Sequence, residues 1–199
     1  RRGLKMDKCD DEATQSMEAI EEDTALVGLL GEIDDDALKS IFGNLMDLSG
    51  NTLESCEDDE LKRDIEFVIS STGGNVHHMF AIYDMMNKIK KERDISTYGF
   101  GQVASAAVLI LAAGTKGKRY ISPNTRVLLH NCSSQHVGTT PTITSSFQEL
   151  NIMESMMIRL LSGNSFLSEA KIREIFSKNV DEYFSAEEAI KMGIADKIV

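Results

Sequence analysis

The stretch from Gly99 to His130 places the tightest limit on how this chain can fold. It contains the end of a strand-like run, an apolar helix-like run and two short strand-like runs in immediate succession. Such a path becomes compact only if the strands lie side by side and the helix packs on their face. The path carries Ser105 at the mouth of the helix and His130 at the end of the last strand. We expect the fold to bring these two side chains together.

The rest of the chain repeats this alternation of strand and helix. Short apolar runs predict strands, and apolar residues spaced by three and four predict helices. Strands alternating with helices predict βαβ crossovers, hence an α/β fold with a mainly parallel sheet. The first strand is a continuous apolar run, so we expect both of its faces to be buried. The predicted strands are 25–30, 65–70, 95–100, 118–122, 126–130 and 195–199, and the predicted helices are about 35–50, 76–89, 104–113, 142–161, 165–177 and 186–192.

The size of the chain suits one domain. Its 199 residues are 42% apolar, enough to bury a sizeable core. We expect a mobile N-terminal segment over residues 1–23 and a single domain over residues 24–199. No apolar run of about 18 residues occurs, so no membrane span is predicted. Three scattered cysteines favour a reducing compartment over a disulfide framework. We therefore expect a location in the cytoplasm or, because the first residue is Arg1 rather than Met and a leader could have been removed, in an organelle interior.

Charge is concentrated in the first third of the chain. Of the net charge of −11, residues 1–64 contribute −12, from 19 acidic and 7 basic residues, and the remainder contributes +1. A surface of this sign repels phosphate backbones, so we expect no nucleic-acid partner. The acidic segment is either a solvated, partly disordered surface or a docking tail at an acidic portal.

Ser105 has a structural and a chemical interpretation. A serine among alanines at a helix start commonly caps the helix or fills a small packing site. Alternatively it is a nucleophile, because a helix N-terminus offers N–H groups and a positive dipole end to a developing oxyanion. The surrounding sequence is not G-x-S-x-G, the signature of the hydrolase nucleophile elbow.

Each of the other candidate residues, taken alone, also has more than one interpretation. His130 is either a structural residue at the end of a strand or a catalytic base. A catalytic pair of His130 with Cys132 is disfavoured, because two side chains so close on one strand would leave no room for a substrate between them. The four histidines show no zinc-ligand spacing, so no metal site is predicted. The Gly73-Gly74 pair lacks the phosphate-loop signatures but permits close approach of a peptide or tetrahedral intermediate. Asp181 alone would be an ordinary loop carboxylate.

Taken in order, these motifs resemble one family. The segments STGGNV, AIYDMM, GQVASAAVLILAAGTKGKRY, PNTRVLLH and DEYFSAEEAIKMGIADKIV are similar to the proteolytic subunit of the Clp protease. The resemblance covers about residues 24 to 199 and is strongest between Gly101 and His130. It implies a ClpP/crotonase-like ββα-repeat fold, with a mainly parallel sheet, a protruding handle helix over about 134–161 and assembly into rings.

The resemblance also implies a serine peptidase site. In that family the corresponding residues are the nucleophile Ser105, the base His130 and the orienting acid Asp181. The backbone N–H groups of Gly74 and Ala106 correspond to the oxyanion donors. The implied reaction is acyl transfer without metal or organic cofactor, ATP being used only by a partner unfoldase.

The implied partners are further copies of the chain and an AAA+ Clp unfoldase. Two stacked heptameric rings would enclose a chamber for unfolded polypeptide substrates. The apolar side of helix 142–161 fits either a contact between rings or an ordinary core position. The chain departs from the family pattern at Asn179-Val180, where an acidic–arginine pair usually links the rings, and at Glu66 and Lys88, where aromatic residues usually line the unfoldase pocket.

Three other functions are compatible with parts of this pattern. A diverged ring subunit could act only within a mixed complex. The crotonase-like fold also hosts acyl-CoA chemistry, which fold alone does not exclude. A structural ring or scaffold protein would need no triad. The aligned Ser105, His130 and Asp181 favour the peptidase, which is expected to react with a fluorophosphonate.

Overall fold

The computed structural model describes residues 25–50 and 64–199. The predicted N-terminal segment 1–23 lies outside the described residues. So do residues 51–63, which belong to the acidic first third of the chain. Within them, seven strands form one sheet, with order β1-β2-β3-β4-β7 and with β5 paired to both β3 and β6. The strands are β1 Leu26–Ile33, β2 Ile65–Gly74, β3 Ile95–Ala104, β4 Arg119–Ile121, β5 Arg126–Leu129, β6 Glu182–Phe184 and β7 Lys197–Ile198.

The sheet is mainly parallel, as predicted. Each strand pair is parallel except β5 with β6, which run antiparallel. Parallel neighbours need crossover connections, and the intervening helices supply them. The helices of the described residues are α1 Asp35–Gly50, α2 Val76–Ile89, α3 Ala106–Ala112, α4 Thr140–Asn164, α5 Glu169–Ser177 and α6 Ala186–Lys191. The architecture is consistent with the ClpP/crotonase-like fold.

The first strand differs from its prediction. The structure extends β1 to Ile33 and exposes alternate side chains, with Leu30 73% exposed and Leu29 fully buried. A continuous apolar run therefore does not mark burial on both faces here, because the described chain covers only one face of this part of the sheet. The exposed side chains of Leu26 and Leu30 leave an apolar strip on the other face.

Helix α3 lies at the centre of the core. Each of its seven residues is buried, and it contacts both β2 and β3. Small side chains such as Ala106, Ala107 and Ala112 let the helix lie close to the sheet, while Leu109 and Leu111 fill the space around it. The segment that follows Ser105 is therefore held on every side, which fixes the position of the serine.

Helix α4 is long and unevenly buried. Its C-terminal third anchors in the core through Met157, Ile158 and Leu161. Its N-terminal part exposes Ile143, Phe147 and Ile152, and Phe147 is 60% exposed. The helix is a few residues longer than predicted at each end, and α5 begins at Glu169 rather than 165. No helix among residues 25–50 and 64–199 has the length and apolarity to cross a membrane.

A buried ion pair closes the far end of the sheet. Arg119 is 1% exposed, and its guanidinium donates to both carboxylate oxygens of Asp196 at 2.9 and 2.6 Å. The same side chain donates to the carbonyls of Ala112 and Asn164, which end α3 and α4. Burial alone would raise the pKa of the Asp196 carboxyl, but the hydrogen bonds and charge of Arg119 lower it. This pair joins β4 to the C-terminal segment.

Candidate active site

Strand β3 carries Ser105 to its position. The prediction ended this strand at Phe100 and began the helix at Ala104, but the strand continues to Ala104 and α3 begins at Ala106. The strand is longer because Val103 and Ala104 pair with β5. Between the half of β3 that pairs with β4 and the half that pairs with β5, the ladder to β2 shifts register. Ser105 therefore lies at a sharp strand-to-helix junction.

The backbone at Ser105 is strained. Its φ of 56° and ψ of −125° are uncommon for a residue with a side chain, and its side chain makes no capping hydrogen bond to α3. The structure thus excludes the helix-cap interpretation of this serine. Although G-x-S-x-G is absent, a serine on a strained turn between strand and helix is the arrangement of a nucleophile elbow.

His130 follows β5 and reaches back to the serine. The register of β5 against β3 pairs Leu128 with Ala104, and the Ser105 N–H donates to the Leu128 carbonyl at 2.9 Å. His130 is two residues further along and comes level with the start of α3. Its Nε2 atom lies 2.7 Å from the Ser105 Oγ atom. The imidazole is 32% exposed, so one side of it is open to solvent.

Asp181 lies on the opposite side of the imidazole. Its Oδ1 atom is 3.4 Å from His130 Nδ1, which is longer than an ideal charge-assisted hydrogen bond of about 2.8 Å. The antiparallel pairing of β5 with β6 places Leu129 against Glu182, so the next positions outward are His130 and Asp181. Sequence reasoning missed β6, which has three residues, and with it the pairing that sets this contact.

The two glycines lie within β2. The strand was predicted to end at residue 70, but it continues to Gly74 and so reaches the site. Gly73 has φ +87°, and a Cβ atom there would lie 2.7 Å from both the Ala104 carbonyl oxygen and the Ser105 Cβ atom. Only glycine allows this approach of β2 to the turn that holds the serine. The Gly73 N–H donates to the Ser71 hydroxyl at 3.1 Å.

Gly74 ends β2 beside the same turn. The N–H of the next residue, Asn75, donates to the Ile33 carbonyl of β1 at 2.9 Å. Gly73, the residue before Gly74, lies against the Ser105 Cβ atom and the Ala106 nitrogen, so Gly74 is next to the serine turn in the chain. Ala106 is the first residue of α3, where backbone N–H groups lack intrahelical acceptors.

We expect Gly73→Ala to reduce strongly the rate of any reaction that uses the Ser105 hydroxyl. The added methyl group would force β2 away from the serine turn, and a displacement of about 1 Å can cost about a hundredfold in kcat. Gly117→Ala is the matched control, because Gly117 has the same φ of +87° but no atom within 4 Å of its Cβ position. Steady-state kinetics on both variants would test this, and equal losses in the two would contradict the proposed close approach.

A cleft of about 590 Å³ opens beside Gly74. The start of α2, the segment after His130 and the middle of α4 form its walls. The cleft thus lies between Gly74 and the segment that contains Ser133, Ser134 and His136. It is lined by Gly74, Asn75, Val76, His77, Ser133, Ser134, His136, Ser145, Ser146, Glu149, Leu150 and Met153.

Cys132 lies near the site but has an unreactive environment. Burial and the nearby charge of Glu154 raise the pKa of its thiol to about 11. A thiol with this pKa is protonated at neutral pH, and the thiolate is the reactive form. The nearest carboxylate, Glu154, accepts a hydrogen bond from the Cys132 N–H at 3.2 Å. Cys132 therefore does not compete with Ser105 as a nucleophile.

No group of three or more His, Cys, Asp or Glu side chains in the described part of the chain is placed to hold a metal ion. The polar side chains at the junction of β3, β5 and β6 are instead arranged in a line. The order is a hydroxyl, an imidazole and a carboxylate, with the ends of β2 and α3 beside the hydroxyl. Such a line can move a proton from the hydroxyl to the imidazole.

Comparison with known proteins identifies the family of this arrangement. The sequence profile described as Clp protease matches residues 9–199. The chain is 36% identical over 168 residues to "ATP-dependent Clp protease proteolytic subunit 2" of Frankia casuarinae, covering 84% of this chain and 72% of that protein. It is 35% identical over 174 residues to "ATP-dependent Clp protease proteolytic subunit 4" of Rhodococcus jostii, covering 87% and 84%.

A third relative agrees with these two. "ATP-dependent Clp protease proteolytic subunit 2" of Thermobifida fusca is 34% identical over 174 residues, covering 87% of this chain and 80% of that protein. The family match over residues 9–199 includes the three parts of the chain that meet at the site. This similarity does not favour the acyl-CoA alternative, and the chain belongs to the Clp protease family.

Proposed function

We propose that this chain is a serine endopeptidase subunit that cuts peptide bonds of unfolded polypeptides through Ser105, His130 and Asp181. Membership of the Clp protease family makes it a serine peptidase. The observation that carries the choice of residues is the 2.7 Å distance between Ser105 Oγ and His130 Nε2, at a strained serine turn. The cleft that begins at Gly74, the residue after the glycine that touches the serine turn, is the proposed place of an extended substrate.

The proposed reaction begins with proton transfer. With its own proton on Nδ1, facing Asp181, the imidazole accepts the Ser105 proton at Nε2 as Oγ attacks the substrate carbonyl carbon. The negative charge of Asp181 stabilises the imidazolium that forms and keeps the ring in this tautomer. Returning the proton to the leaving amine then breaks the C–N bond and leaves an acyl group on Oγ.

Gly74 and Ala106 are the proposed donors to the oxyanion. The support is the position of Gly74 directly after Gly73, which lies against the serine turn, and the position of Ala106 in the first turn of α3, where the helix dipole is also positive. Each donor of this kind contributes about 3 kcal/mol to transition-state stabilisation in typical enzymes. The Gly73 N–H, by contrast, already donates to Ser71.

Water completes the proposed cycle. A water molecule that occupies the place of the departed amine gives a proton to His130 as its oxygen attacks the ester carbonyl carbon. The imidazolium then returns this proton to Oγ as the C–Oγ bond breaks, which releases the acid product and restores Ser105. The reaction needs no metal ion and no organic cofactor. ATP would be used only by a partner that unfolds and feeds the substrate.

The proposed assembly is a pair of stacked heptameric rings that enclose the site. The support is family membership and the exposed apolar side chains along the first two turns and middle of α4, which an isolated subunit would leave in water. An AAA+ unfoldase is the proposed partner, docked where Glu66 and Lys88 replace the usual aromatic side chains. The scattered cysteines fit a reducing location, in the cytoplasm or in an organelle interior.

A fluorophosphonate probe tests the proposal. The probe is expected to label the purified protein at one residue, found by peptide mapping to be Ser105, and to leave Ser105→Ala unlabelled. The rate at which the protein hydrolyses a fluorogenic peptide should fall in proportion to the fraction of subunits that the probe has labelled. A protein that turns over peptides while the probe never reacts would overturn the proposed nucleophile. A protein that cuts peptides only after a second type of subunit is added would favour a mixed complex.

A further inference from the structure

A hydrogen bond between two asparagines lies directly beside the proposed triad. The Asn131 side-chain Nδ2 donates to the Asn179 side-chain Oδ1 at 2.6 Å. Asn131 immediately follows His130, and Asn179 precedes Asp181 by two residues. The bond therefore joins the two segments that carry the proposed base and the proposed acid.

The pairing of β5 with β6 explains why these segments need a second link. The register matches Val127 with Phe184 and Leu129 with Glu182, and the ladder then ends. His130 and Asp181 come next, outside the ladder, with no backbone pairing of their own. The hydrogen bond between the Asn131 and Asn179 side chains lies beyond them. The His130–Asp181 contact is therefore enclosed between a strand pairing and a side-chain hydrogen bond.

Asp181 has little else to hold it. Its side chain is 55% exposed, and among the described residues its carboxylate makes neither a hydrogen bond nor an ion pair apart from the contact with His130. That contact is 3.4 Å long, so small movements of the segment would break it. An exposed carboxylate keeps this geometry only if the backbone on both sides of it is fixed.

Asn179 has the backbone conformation that this link requires. It follows α5 with a φ of 57°, a left-handed conformation that asparagine adopts more readily than most residues. Its N–H donates to the Phe176 carbonyl at 3.2 Å, which ends the helix. The same turn directs its side chain toward Asn131. Asn179 therefore ends α5 and connects the segment of Asp181 to that of His130.

We propose that Asn131 and Asn179 are positioning residues that hold Asp181 opposite His130 within one subunit. This inference rests on the proposed function, because it assumes that Asp181 orients the imidazole for catalysis. Neither asparagine lines the cleft, and their side chains bond to each other rather than to the serine, so we expect them to act through Asp181. Asn179 belongs to the Asn179-Val180 pair that replaces the usual acidic–arginine pair. In this chain its amide therefore links two segments of the site within one subunit.

Steady-state hydrolysis of a fluorogenic peptide by Asn131→Ala, Asn179→Gly and the double variant tests this. Glycine keeps the left-handed turn while removing the amide. Each single variant is expected to lose about tenfold in kcat with little change in KM, because positioning is lost but substrate binding is not. The double variant should lose no more than either single one, because both break one hydrogen bond.

Two further variants separate positioning from general damage. Asn179→Asp keeps the acceptor oxygen and is expected to retain the kcat of the parent protein. Asn151→Ala removes a surface asparagine amide of α4 that donates to the Phe147 carbonyl, and should have no effect. Losses that multiply in the double variant, or a loss in Asn179→Asp equal to that in Asn179→Gly, would overturn the inference.

The outcome is distinguishable from failure of the proposed function. If Asn131→Ala and Asn179→Gly keep full kcat while Ser105→Ala is inactive, the positioning role is wrong and the peptidase assignment stands. If Ser105→Ala hydrolyses the peptide at the parent rate, the proposed function itself is wrong. Thermal unfolding of each variant, measured alongside, identifies a loss of kcat that follows from a loss of structure, and such a loss would also overturn the positioning role.

Discussion

Replacing Ser105 with alanine is expected to lower kcat for peptide hydrolysis by about 10⁴-fold or more. The hydroxyl is the proposed attacking group, and Cys132, the free thiol nearest to it in the described chain, is protonated at neutral pH because burial raises its pKa. Residual hydrolysis would come from water at the oxyanion donors. The measurement is the initial rate with a fluorogenic peptide at saturating concentration.

The loss should occur without loss of structure. The Ser105 side chain makes no capping hydrogen bond to α3, and alanine tolerates the strained turn no worse than serine does. Ser134→Ala is the matched control, because this cleft serine is hydrogen-bonded to His136, whereas the serine hydrogen-bonded to His130 is Ser105. A Ser105→Ala protein with more than a few per cent of parent activity would contradict the proposed mechanism.

Asp181→Asn is expected to lower kcat by about 10³- to 10⁴-fold with little change in KM. Asparagine preserves the shape of the side chain but removes the charge that stabilises the imidazolium. Its amide can also donate to Nδ1, which would leave the ring proton on Nε2, where it prevents acceptance of the serine proton. Kinetics over a range of substrate concentrations would separate the effects on kcat and KM.

Glu182→Gln is the control for this second prediction. Glu182 is the next residue, also carries a carboxylate, and pairs with Lys178 at 2.9 Å rather than with the histidine. Its replacement should leave kcat nearly unchanged. If Asp181→Asn retained activity within tenfold of the parent, or if both variants lost activity equally, Asp181 would not be the orienting acid.

Much of the fold could be predicted because most elements follow local rules. The apolar spacing that predicts α2 gives the observed helix Val76–Ile89, and Asn75 caps it through hydrogen bonds from the N–H groups of His77 and His78. The predicted helix at 186–192 is observed as α6, which begins with a capping box of Ser185 and Glu188, a local sequence pattern. Alternating strands and helices also predict parallel pairing, because crossovers of this length allow little else.

The errors arise where long-range pairing overrides local pattern. Sequence alone ended β3 at Phe100, yet pairing with β5 continues the strand to Ala104. Strand β6 is three residues long, too short for any periodicity. The exposed face of β1 was missed because an apolar run does not reveal what covers it.

The candidate site is likewise divided between features that local sequence indicates and features that depend on long-range pairing. The types and order of Ser105, His130 and Asp181 were visible in the sequence through motifs, but their distances follow from the β3–β5 and β5–β6 registers. The strained backbone at Ser105 could not be read without G-x-S-x-G. The Asn131–Asn179 bond joins residues 48 positions apart, and nothing in either local sequence indicates the other.

Trapping the acyl-enzyme tests the central claim most directly. Rapid acid quenching after mixing with an activated ester, followed by peptide mapping by mass spectrometry, would locate the acyl group. We predict one acyl group per subunit on Ser105, with almost none in His130→Ala. An acyl group on Cys132, or turnover of the ester with no covalent intermediate on any residue, would contradict the proposed role of Ser105.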